Sequence, residues 1–242
     1  ADYDYNKYTT IYKFKINDDG SLKYNNKTKE EGSTINQFSL DEYQNNLRVA
    51  LSGNEGSRIV IFDENLKKIG STEYLSKGER MYSTRFLENK AYMVTYKNTD
   101  PLYAIDLSIP TSPKVLGELK IPGYSTYLHP YDENHLIGIG METKEKVYRD
   151  SFGKVKRTTA IITGMKMALF DVSDINNPIQ ISKTVIGDSR TTSAILTNHK
   201  ALLFSKEKGL LAIPVNKYES DFEINVNNED NISDMESIYT KY

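Results

Sequence analysis

DLSIPTSPKVLG (residues 106–117) and DVSDINNPIQIS (171–182) are two versions of one pattern. Each follows an alternating apolar run, LYAID (102–106) and MALFD (167–171), and opens on its closing Asp. Pro110, Pro113 and Pro178 sit where the chain must reverse, and proline cannot donate to a β-ladder. Each stretch therefore reads as the end of one strand, a turn and the start of a second strand. Working outward, the same run into Asp or Asn recurs as IYKFKIN (11–17), RIVIFD (58–63) and LLAIPVN (210–216). The closing residues Asn17, Asp63, Asp106, Asp171 and Asn216 are spaced by 46, 43, 65 and 45 residues.

Between these segments lie two further strands joined by a hairpin. They are NQFSLDEYQNNLRVALS (36–52), STRFLENKAYMVTY (83–96), STYLHPYDENHLIGIG (125–140) and TSAILTNHKALLFS (192–205). Helical periodicity is absent. Four short strands recurring about every 45 residues predict the blades of an all-β propeller. The chain accounts for about four four-stranded blades plus a partial one. A closed ring needs roughly four to eight blades, so both an open arc of a larger ring and a compact ring remain, with the arc favoured.

Composition narrows the function classes. The 242 residues carry a net charge of −2, which gives no electrostatic case for nucleic acid. No apolar run approaches the ~18 residues that a spanning helix needs. With no cysteine, disulfides, thiolate zinc sites and cysteine nucleophiles are excluded. No cofactor is expected, since neither a GxSxG elbow nor a Gly-rich phosphate loop is present.

Two of the three histidines, His129 and His135, flank YDENH (131–135). That stretch occupies the slot of LENK (87–90), LTNHK (196–200) and DEYQNN (41–46) in other repeats. Polar residues in such a slot bond their own backbone, so Asp132, Glu133 and Asn134 read as a hairpin turn. His129, His135 and Asp132 are only weak candidates for a metal set.

The long interval has a visible cause. Residues 142–164 insert an extra hairpin with Gly153 at its tip, and Lys144 to Arg157 holds six basic and two acidic residues. Insertions in repeat proteins often map to binding faces. Blades are expected over 1–215; residues 216–242, with seven acids and two lysines, form an acidic end segment, read as a last strand or a tail. NNEDNISDME (227–236) lacks the glycine of a calcium loop.

Several long stretches also resemble one family. These include NQFSLDEYQNNLRVAL, GERMYSTRFLENKAYMVTYKNTDPLYAIDLS, LFDVSDINNPIQISKTVIGD and HKALLFSKEKGLLAIPV. They look like secreted or cell-surface bacterial and archaeal proteins with a C-terminal β-propeller domain, distantly similar to WD-repeat propellers. The resemblance implies a propeller fold and an extracytoplasmic location. It carries no catalytic or ligand residues onto this chain, and Arg149 to Arg157 departs from the family's run.

The function expected is a non-catalytic binding or scaffolding module meeting a protein or glycan at the cell surface. Candidate contacts are Tyr124, Tyr127, Tyr131, Lys154, Lys156 and Arg157. Exposed blade faces also suit self-association. The alternative is a metal-dependent hydrolase or lyase with a carboxylate-rich site at the channel, drawing on Asp63, Asp106 and Asp171.

Overall fold

Alternating apolar residues dominate the chain, and the computed structural model, which describes residues 7–96 and 100–218, folds them into strands throughout. β1 (Tyr8–Ile16) and β2 (Leu22–Glu31) form a two-stranded sheet. The first complete blade is β3 (Leu40–Tyr43), β4 (Asn46–Gly53), β5 (Gly56–Phe62) and β6 (Lys68–Ser71). The second is β7 (Arg80–Leu87), β8 (Lys90–Tyr96), β9 (Asp100–Asp106) and β10 (Lys114–Ile121). The third is β11 (Tyr124–Pro130), β12 (His135–Arg149), β13 (Val155–Asp171) and β14 (Ile179–Ile186). A last pair, β15 (Leu203–Ser205) and β16 (Leu210–Ala212), follows. Among the described residues all pairings are antiparallel between strands consecutive in sequence, and the three four-stranded blades flanked by two-stranded sheets are consistent with an open propeller arc.

The sheets are out of phase with the sequence repeat. Each complete sheet takes the last two strands of one Asp-closed unit and the first two of the next. The 142–164 insertion consequently lies inside one sheet, as an extension of the β12–β13 hairpin. TSAILTNHKALLFS also differs from the expected hairpin. Ser193 caps a 3-10 turn at Ala194–Leu196 and Asn198 caps another at His199–Ala201 before β15 begins. Both caps accept a backbone N–H, the local bond that draws Ser and Asn away from ladders.

Side chains alternate between faces with period two, and each complete blade buries both. On β8, Ala91 and Met93 pack with Ala50, Ile59 and Ile61 of the preceding blade. Tyr92 and Val94 pack the other way, with Leu128, Ala168 and Phe170 of the following one. The core is thus a series of inter-blade layers. The outer strands add a second contact. A Cβ on Gly70 would lie 2.1 Å from the Pro110 carbonyl oxygen, and one on Gly117 2.3 Å from that of Ile175. In each case the proline-bearing turn of the next blade sits on the glycine. Among the described residues no helix is long and apolar enough to cross a membrane.

Replacing Gly70 or Gly117 with alanine forces that turn off its seat. Each variant is expected to lose at least ~1–3 kcal/mol, the usual cost of overpacking. Urea denaturation would show it as a lower midpoint at unchanged slope. An unshifted midpoint would mean that the turn gives way freely.

Candidate functional site

The carboxylates at the repeat positions are engaged in turns. Asp63 Oδ1 accepts the N–H groups of Asn65 and Lys67, each at 2.9 Å. Asp106 accepts that of Ser108 and Asp171 that of Ser173, also at 2.9 Å. These are Asx turns, in which the side chain substitutes for a backbone acceptor. Asp171 is held below the ordinary carboxylate range by its bonds to Ser173.

YDENH behaves likewise, and it does more. Asp132 Oδ1 accepts the Asn134 N–H at 2.9 Å and lies 2.8 Å from His135 Nδ1. Its Oδ2 accepts Lys206 Nζ from just beyond β15 at 3.0 Å. Burial alone would raise this carboxyl, but the Asn134 amide, His135 and Lys206 outweigh it and hold it far below the usual range. Lys206 also lies 4.7 Å from the centre of the Tyr131 ring. His129 turns elsewhere: its ring meets Phe204 at 4.5 Å and its Nδ1 is 3.1 Å from the Tyr127 hydroxyl. The structure brings Asp132 and His135 together and leaves His129 in a separate aromatic contact. Among the described residues no group of three or more His, Cys, Asp or Glu converges as a metal set would require.

The tyrosines divide in the same way. Tyr124 packs with Tyr82 and Tyr96, ring centres 4.7 and 4.6 Å away. Tyr127 is buried, 5.7 Å from Phe38. Phe38 reaches across from a 3-10 turn at Gln37–Ser39, and Arg85 of β7 stacks 3.9 Å from its centre. Arg85 also donates Nε to the Leu128 carbonyl at 2.8 Å, and burial lowers its guanidinium below the ordinary value. Phe38 further meets His199 edge-on at 4.9 Å. Tyr131 alone of the three candidates is exposed. Phe38, Arg85, Phe204 and Lys206 carried no signal in sequence, because each acts on a partner more than forty residues away.

The arm holds the remaining candidates. β11 pairs with β12 only as far as Met141, and β14 with β13 only as far as Met165. Beyond those points β12 and β13 run on as a two-stranded ribbon. Asp150 Oδ1 closes the tip by accepting the N–H groups of Phe152 and Lys154, while Gly153 takes φ +77. On one face Lys146 and Arg157 lie 5.2 and 4.7 Å from the ring centre of Tyr148, with Lys144 one pleat behind. The other face carries Val147, Val155, Ala160 and Ile162, the first two about half exposed, together with Glu145, Arg149 and Thr158. At the root, Glu142 accepts Lys183 Nζ at 2.5 Å, and fully buried Lys166 donates to the Pro122 carbonyl at 2.7 Å. Lys154 and Lys156 lie at and beside the tip, outside the Tyr148 cluster. Tyr148 and Lys146 were missed as contact candidates, although their alternation with Lys144 was legible.

The acidic boundary expected at 216 is described only to Tyr218; residues 219–242 lie outside the described residues. Residues 2–239 match the family model described as "Beta propeller domain". An uncharacterized protein of Methanocaldococcus jannaschii is 38% identical over 215 residues, 86% of this chain and 31% of its own length. An uncharacterized protein of Archaeoglobus fulgidus is 36% identical over 184 residues, 76% of this chain and 26% of its own. The chain therefore spans about a third or less of these curated relatives.

Burial first, and then the charge of Arg85, push the His129 imidazole below its ordinary value. The neutral ring's contribution is complete above the unfolded value of about 6.5 and is lost as pH falls through it toward the lowered one. The melting temperature of the protein should therefore drop more steeply between about pH 7.5 and 5 than that of His129→Phe. Parallel curves would show that His129 titrates as in the unfolded chain.

Proposed function

The chain belongs to the beta-propeller domain family, and from that premise we propose that it is a non-catalytic binding or scaffolding module, secreted or displayed at the cell surface. The observation that carries this reading is the arm. The ribbon runs on beyond the paired strands with two cations gathered round a half-buried aromatic ring, an arrangement that a partner can meet. Lys146 and Arg157 around Tyr148, with Lys144 further along the same face, fit carboxylate, sulfate or phosphate groups on a protein or glycan. Lys154 and Lys156 extend the positive field toward the tip, and Tyr131 offers an exposed ring on the blade body. The extracytoplasmic location draws its support from the family resemblance of the long stretches quoted above.

A heparin resin and an array of acidic glycans test this. Lys146→Glu with Arg157→Glu is expected to weaken binding by ~tenfold at low salt, with the difference vanishing near about 1 M, where surface charges are screened. The two residues are exposed or nearly so, so the blades should stay folded. Equal retention of the variant and the native protein, or no retention of either, would overturn the reading.

A further inference from the structure

The two edges of the arm are unlike. β11 leaves β12 beyond Met141 and β14 leaves β13 beyond Met165, and among the described residues no other strand pairs with the ribbon. β12 carries a charge at four of the six positions 144–149: Lys144 and Lys146 on one face, Glu145 and Arg149 on the other. Charged side chains at this density guard an edge against further pairing. β13 has no such guard along its root half. TTAIIT (158–163) holds neither charge nor proline, and five of its six residues are β-branched. A window of that composition on an open edge recruits another strand.

The edge is complementary to itself. Its cations, Lys154, Lys156 and Arg157, lie toward the tip, and its uncharged stretch lies toward the root. An antiparallel copy turned about a two-fold axis at Thr158 sets Arg157 opposite Thr159 and Val155 opposite Ile161. Lys156, the bulged residue of β13, falls level with Ala160. No like charges face each other, and β-branched residues oppose one another at the axis and beside it, as favoured cross-strand neighbours do. The same register respects the root. A Cβ on Gly164 would lie 2.7 Å from Val185 Cγ1 and 2.8 Å from the Gly187 carbonyl oxygen, so the edge is open only as far as Thr163. With the axis at Thr158, the copy's Gly153, in the turn of its tip, comes level with Thr163 and stops there.

We propose that the arm is a dimerisation element, in which β13 pairs through 155–161 with the same stretch of a second copy. The product is a four-stranded sheet, two ribbons joined edge to edge about one two-fold axis. Such a contact is isologous and closes on itself. It gives the ribbon the further strands that a two-stranded sheet needs for stability of its own. The axis stands perpendicular to the sheet, so both Tyr148 clusters come to one face, where a polyanion long enough to span them gains from bivalence. That last consequence rests on the function proposed above; the pairing itself is read without any ligand.

Light scattering and sedimentation of the full chain test the pairing. The native protein is expected to pass from monomer to dimer as its concentration rises. Thr158→Lys, which sets two ammonium groups against each other at the axis, is expected to stay monomeric over the same range. Thr158 is exposed, so the blades keep their fold. The chain has no cysteine, which allows a second readout. Residues directly opposite in such a pair lie within disulfide reach. Thr158→Cys is therefore expected to cross-link under mild oxidation at least ~tenfold faster than Val147→Cys, whose copies stand three strand spacings, ~14 Å, apart. A protein monomeric throughout, a Thr158→Lys dimer as tight as the native one, or equal cross-linking from 147 and 158 overturns the proposal. So does slow amide exchange at 158–163 in the monomer, which would assign the cover of this edge to the chain itself.

Discussion

Each complete sheet has two apolar faces, and neither can be covered from within its own sheet. Period-two alternation sends Ala91 and Met93 of β8 into one layer and Tyr92 and Val94 into the next. β13 divides in the same manner, with Met165 on one side and Ala168 and Phe170 on the other. Every blade is therefore stable only as somebody's neighbour, as in other repeat proteins. The requirement extends to the outer rim, where Gly70 and Gly117 leave room for the turns around Pro110 and Pro178. It also explains the first sheet. Tyr12, Phe14, Ile16, Leu22 and Tyr24 present a face with the make-up of an inter-blade layer, and all five are exposed.

The same physics decides what the carboxylates do. Three blades close their third strand on an aspartate, and each of those aspartates bonds the backbone two residues on. Asp132, Asp150, Asp174 and Asp188 repeat the device at other turns. A ring of acids at equivalent positions would suggest chemistry if only the spacing were considered. Their hydrogen bonds show a chain using one short side chain, over and over, to end strands.

Alternation and turn chemistry are local, so the strands, the repeat length and the extra hairpin were legible from residues such as Asp106, Pro113 and Gly153. The phase of the sheets was not. Consecutive strands are all joined by antiparallel hairpins or turns, and the pattern does not mark which connection steps to the next blade. Within the candidate site the boundary falls in the same place. Asp132 and His135 are three residues apart and could be read together, whereas Phe38, Arg85 and His199 meet only because the arc curls. The strand expected around Ile195 failed for a local reason: Ser193 and Asn198 offer their side chains to the backbone, and two 3-10 turns replace the ladder.

The arm is where the neighbour rule is relaxed. β12 is buried without a break from Leu136 to Thr143, in the manner of a strand covered on both faces, and then becomes exposed. Past that point, among the described residues, the ribbon is held by its own pairing, the cations around Tyr148 and the Glu142–Lys183 contact at its root. A two-stranded ribbon is marginal in water by itself. Valines about half exposed at 147 and 155 add a cost that solvation does not remove. A projection with cations round a ring on one face and half-exposed valines on the other is in the position of a blade missing its neighbour. A partner that meets the cations around Tyr148 would supply there what a neighbouring blade supplies to the body of the arc.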